Sequence, residues 1–73
     1  MVQFMTYTEI ISNSIQYIEA NLHLDLSLEE LAARYYFSPM HFHRIFRVVT
    51  NRTPKSYILG RKLSEAALAL KNT

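Results

Sequence analysis

Cysteine is absent from this chain of 73 residues, which removes disulfides, thiolate metal sites and cysteine nucleophiles together. A fold built without them must rest on helix packing. Glycine occurs once and proline twice, too few for a linker or a low-complexity chain. No apolar run exceeds the five residues from Ala66 to Leu70, and the opening MVQFMTYTEI has no basic residue and no small-residue cleavage site. The expectation is therefore a chain neither exported nor membrane-spanning, resident in the cytosol. The length leaves no room for a second core and excludes most enzymes. What is present is globular in character: the apolar set makes up 49% of residues, with five Tyr and four Phe.

The net charge of +2 conceals a strong asymmetry. Residues 1–33 hold Glu9, Glu19, Asp25, Glu29 and Glu30 with no base, a charge of −5. Residues 34–73 hold all eight bases (Arg34, Arg44, Arg47, Arg52, Lys55, Arg61, Lys62 and Lys71) against Glu65 alone, a charge of +7. A basic half on a small helical protein favours an anionic partner, most often nucleic acid. The competing expectation is two ordinarily solvated faces.

Residues 1–6 read as a tail. Tyr7, Ile11, Ile15, Ile18 and Leu22 then recur at spacings of three and four, one apolar stripe of a helix over about 7–21, with Thr6 and Glu9 as a capping box. Ser27 and Glu30 form a second Ser-x-x-Glu box, opening a helix over about 28–35 with Leu28, Leu31 and Ala32 inward. Ser38-Pro39 supplies an N-cap followed by proline at the first helical position, opening a third helix over about 39–50. Thr53-Pro54 repeats this logic for a fourth over about 54–71, with Tyr57, Ile58, Leu63, Ala66 and Leu70 expected inward. Gly60 inside it costs roughly 1 kcal/mol relative to alanine. No segment carries strand alternation. The expected class is all-α: a small three- to four-helix domain with one helix-turn-helix, homeodomain-like.

Two short helices joined by a tight turn present the second to the DNA major groove. At about 100° per residue, with Met40 at zero, His43 falls near 300°, Arg44 near 40° and Arg47 near 340°. Phe42, Ile45, Phe46 and Val49 fall on the opposite side, so the helix is anchored by one face and free on the other. Arginine can bind guanine O6 and N7 bidentately, and methionine can meet a thymine methyl. The competing expectation pairs Arg44 and Arg47 with acids of the second helix.

His41 and His43 point about 200° apart on a helix and cannot share one ion, so no metal site is expected. His41 is expected as a partly buried ring beside the second helix, and His23 as a loop residue. Tyr35, Tyr36 and Phe37 could stack single-stranded bases, but between two packed helices core and rim packing is expected. The acids lie in the N-terminal half and no Gly-rich phosphate loop exists, so no catalytic residues, cofactor or enzyme activity are expected.

The stretch LSLEELAARYYFSPMHFHRIFR from Leu26, continued by TPKSYI from Thr53 and RKLSEA from Arg61, strongly resembles the AraC/XylS family of bacterial transcription regulators. The likeness covers about residues 8–73. It implies a bipartite DNA-binding region, two helix-turn-helix units joined by a long helix, of which this chain matches the first unit and the connecting helix. The missing second unit is then expected in the same longer chain. The resemblance implies base contacts at Met40, His43 and Arg44, with Arg47 nearby for a base or phosphate. It implies phosphate contacts at Ser38, Thr53, Lys55 and Ser56, where free amides and the helix dipole favour anions. The implied partner is double-stranded DNA. The alternative is a protein-interaction module in which the acidic half, or the same basic face, docks on RNA polymerase or a partner subunit. One departure stands out: the family usually has glycine at the inter-helix turn, and here Tyr36 occupies it, so either the turn is strained or it follows another path.

Overall fold

The computed structural model describes residues 6–71. Four helices, α1 (Tyr7–Ala20), α2 (Leu28–Arg34), α3 (Pro39–Thr50) and α4 (Pro54–Lys71), account for most of them, and no strand occurs among the described residues. Residues 1–5 of the expected tail lie outside the described residues, and Thr6 is the N-cap of α1. There the capping box is complete: the Glu9 amide donates to Thr6 Oγ1 at 3.2 Å, and the Thr6 amide donates to Glu9 Oε1 at 3.3 Å. At Ser27 only half of the box forms, the Glu30 amide donating to Ser27 Oγ at 3.1 Å. Ser38 caps α3 by accepting from the His41 amide at 3.2 Å, and Thr53 caps α4 by accepting from the Ser56 amide at 3.1 Å. Each such cap contributes about 1 kcal/mol, a large share of what a domain of this size holds.

The central helix is α3, which packs against α1, α2 and α4. Phe42 and Phe46 are fully buried on it, beside Ile45, and meet Ile11 and Ile18 of α1 and Leu31 and Ala32 of α2 in one cluster. Each of the two rings contributes roughly 1.5–3 kcal/mol by leaving water. Ser14 is also fully buried, its hydroxyl donating to the Ile11 carbonyl at 2.7 Å, so a polar residue on the inner face of α1 carries no unsatisfied group. Tyr7, expected on the apolar stripe, is 54% exposed.

The expected inner face of α4 is corrected by the structure. Tyr57 and Ile58 are half-buried against the core, but Leu63 and Leu70 are 62% and 76% exposed and Ala66 is exposed as well. The helix outruns the core after its second turn, which accounts for the elongated dimensions of 48 × 24 × 19 Å. Its first two turns are held to α1 by Glu19. Arg61 donates to both carboxylate oxygens of Glu19 at 2.8 and 2.9 Å, and the Tyr57 hydroxyl donates to Glu19 Oε2 at 2.9 Å. Lys62 Nζ donates to the Leu24 carbonyl at 2.9 Å.

The α2–α3 turn is a Schellman motif. The Tyr36 amide donates to the Ala33 carbonyl at 3.1 Å and the Phe37 amide to the Ala32 carbonyl at 3.0 Å. That pair of bonds requires a left-handed residue between them, and Tyr36 takes it with φ 62°. An L-residue in that region costs roughly 1–2 kcal/mol, so the turn is strained rather than rerouted. Asn51, also at φ 62°, closes α3 with one backbone bond in place of two, its amide donating to the Arg47 carbonyl at 2.8 Å, and asparagine tolerates the region well.

Candidate nucleic-acid interface

Because α3 buries Phe42, Ile45 and Phe46, the opposite side of the helix is turned outward. Met40 there is 68% exposed, and Arg44 and Arg47 are exposed. Neither arginine has an ion-pair partner among the described residues, so pairing with the acids of α2 is not seen. His43 stands apart from this row. It is half-buried, forming one wall of a groove with Asp25, Leu26, Thr53, Lys55 and Lys62, at the α4 edge of the outward face. The four residues named from the helical wheel therefore divide into three that project freely and one that is partly enclosed.

Two expectations on α3 are corrected. His41 is exposed and lies not beside α2 but edge-on to Phe37 at 4.8 Å and to Tyr7 of α1 at 6.1 Å between ring centroids. Val49, expected on the packed side, is 37% exposed at its margin. One outward residue was missed: Val48, 84% exposed and one turn beyond Arg44. Its position near 80° on the same wheel is the signal that would have found it.

The remaining named residues cluster at two helix starts. The Ser38 and Thr53 hydroxyls each accept an amide in capping, which leaves each hydroxyl hydrogen free to donate. The Met40 and Lys55 amides have no partner among the described residues, as the geometry of a helix start requires. Both starts thus offer N–H and O–H donors at the positive end of a helix dipole. Ser56 and Lys55 are exposed beside them.

The basic half is only partly available to a ligand. Arg61 is held by Glu19 and by Glu65, at 2.8 Å, and hydrogen bonding to these carboxylates raises its pKa further. Glu19 in turn is held below its ordinary pKa, chiefly by the Arg61 hydrogen bonds; partial burial opposes this, and the Tyr57 hydroxyl and the Arg61 charge add to the lowering. Arg34 lies over the Tyr17 ring, 3.8 Å from its centroid. Among the described residues this leaves Arg44, Arg47, Arg52 and Lys55 as exposed cations with neither an acidic nor an aromatic partner, all on α3, the start of α4 and the turn between them. No cluster of metal-ligating side chains and no helix long and apolar enough to cross a membrane occurs among the described residues.

The sequence pattern of the bacterial regulatory helix-turn-helix proteins of the AraC family matches residues 18–59, which include α2, the turn and all of α3. The chain is 39% identical over 66 residues to the uncharacterized HTH-type transcriptional regulator YbfP of Bacillus subtilis, covering 90% of this chain and 22% of that protein. It is 36% identical over 67 residues to the transposon Tn10 TetD protein of Escherichia coli, covering 92% and 49%. It is 32% identical over 69 residues to the regulatory protein SoxS of Salmonella typhimurium, covering 94% and 64%. The chain thus spans less than two-thirds of the length of each of these relatives. No solved structure is significantly similar to it. An all-α unit with a Schellman turn between α2 and α3, matched by that pattern over more than half its length, belongs to the AraC family of bacterial regulatory helix-turn-helix proteins, which are DNA-binding transcription regulators.

Proposed function

We propose that this domain binds duplex DNA sequence-specifically, with α3 in the major groove, as part of a bacterial transcription regulator. The observation that carries the reading is the division of α3 into a buried aromatic side and an outward side whose two arginines pair with no acid among the described residues. Unpaired arginines on a helix held rigidly from behind are placed for bidentate contact with guanine. Arg44 is the principal base reader, Met40 meets a thymine methyl, and Arg47 reaches a base or a phosphate. His43 contributes from the α4 edge of the helix. Ser38, Thr53, Lys55 and Ser56 position the domain by phosphate contacts that carry no sequence information.

We read the unit as one half of a bipartite region whose second helix-turn-helix lies in the longer chain. The exposed leucines of α4 and the greater length of the relatives support this. The testing experiment is selection of binding sites from randomised duplexes by the 73-residue chain. A short enriched motif containing guanine, lost or relaxed at one position in Arg44→Ala, supports the reading. No enrichment over the starting pool overturns it.

A further inference from the structure

We propose that Tyr36 is a DNA-backbone contact, its phenol hydroxyl donating to a phosphate oxygen that flanks the bases met by α3. The inference rests on the proposed major-groove reading and extends it to a residue outside α3. Its starting point is a tyrosine with no use in the fold. The Schellman bonds demand a left-handed backbone at this position, which a bulky side chain adopts only under strain. Nothing among the described residues offsets that strain: the side chain is 97% exposed and makes no ring contact with any of them.

Its neighbours behave differently. Tyr35 stacks on Phe42 with centroids 6.2 Å apart and donates to Asn13 Oδ1 at 2.6 Å, and Phe37 packs edge-on to Tyr7 and His41. Strain of this kind persists where a function holds it.

Position favours DNA over a protein partner. Tyr36 lies two residues before the Ser38 cap, at the end of α3 where the Met40 amide has no partner. Around it Ala33, Arg34, Ser38 and Pro39 are exposed and mostly small or polar, so the ring does not belong to the contiguous apolar patch that protein docking requires. A phenol combines a flat face that can lie on a sugar with a neutral donor for a phosphate oxygen.

Because the donor is uncharged, its contact adds affinity without releasing a counterion, and this separates it from the arginines. The test measures binding of the 73-residue chain to duplex DNA by fluorescence anisotropy across a salt series, for wild type, Tyr36→Phe, Tyr36→Gly and Arg44→Ala. Tyr36→Phe retains ring and backbone, so its melting temperature stays at the wild-type value. Its affinity should fall about three- to tenfold, equally for all sequences and with an unchanged salt slope. Tyr36→Gly should bind as weakly even though its fold is intact. On duplexes carrying single methylphosphonates, the difference between wild type and Tyr36→Phe should vanish at one position.

Wild-type affinity in both Tyr36 variants overturns the inference and leaves the ring to a protein partner. A loss confined to particular sequences also overturns it. If wild type itself shows no salt-dependent binding, the major-groove reading fails and Tyr36 falls with it, a result distinct from a failure at Tyr36 alone.

Discussion

Replacing Tyr36 by glycine should stabilise the domain, an unusual outcome for deleting an aromatic side chain. The left-handed backbone at φ 62° costs an L-residue roughly 1–2 kcal/mol, all of which glycine removes. Against this, glycine makes the unfolded chain more flexible, which takes back roughly 0.4–1 kcal/mol. Little packing energy is lost, because the ring is 97% exposed and touches no other ring among the described residues. The net gain is centred near about 0.8 kcal/mol, which raises the melting temperature of a domain this small by about 3–6 °C. Circular dichroism at 222 nm during a thermal scan measures it directly. Tyr36→Ala is the control, since alanine keeps the backbone penalty and should show little of the gain. A fall in melting temperature for Tyr36→Gly, or an equal rise for Tyr36→Ala, would refute the reasoning.

Other perturbations test separate parts of the fold. Phe46→Ala, at a fully buried position between Phe42 and Tyr57, should cost about 3–5 kcal/mol and leave most of the chain unfolded at 25 °C; a cooperative melt only slightly displaced would contradict it. Gly60→Ala should stabilise α4 by about 1 kcal/mol, because the added Cβ meets only the Arg52 guanidinium at an ordinary 3.6 Å; a lower melting temperature would show a tighter site. Glu19→Gln tests the tie between α1 and α4 through pH. Since the folded pKa of Glu19 lies below its unfolded value, its contribution is present at neutral pH and lost as the solution is acidified through that lowered value. The stability gap between wild type and Glu19→Gln should therefore be constant near neutrality and close in acid. The gap should be small, because both partners are about one-third exposed, at 32% and 35%. A gap that widens on acidification reverses the sign and rejects the assignment.

Local chemistry made the helix starts legible in the sequence. Thr6, Ser27, Ser38 and Thr53 each act on an amide three residues ahead, so short-range pattern suffices to find them. The outward placement of Met40, Arg44 and Arg47 was legible for a related reason: the two phenylalanines and Ile45 fix the buried side, and the helical period does the rest. The same period misleads on α4. Leu63, Ala66 and Leu70 share a side of the helix, but periodicity records which residues lie together and not whether anything covers them. The partial enclosure of His43 depends on Asp25, Leu26 and the start of α4, and the Glu19–Arg61 pair spans 42 positions of the chain. Neither leaves a local trace. Tyr36 lies between these cases, since its place in the turn was visible while its strain required the backbone angle.

The central claim is that α3 reads bases through Arg44 while a few cations neutralise phosphates. Its most direct test is the affinity of the 73-residue chain for a selected duplex and a scrambled one, over a range of salt, with and without Arg44→Ala. Four exposed cations have neither an acidic nor an aromatic partner among the described residues, which gives a slope of log K against log salt of about −4. Arg44→Ala should cost about 1–3 kcal/mol on the selected duplex, relax preference at one base pair and leave the melting temperature unchanged. Equal losses on both duplexes, or salt-independent binding by the wild-type chain, would contradict the account.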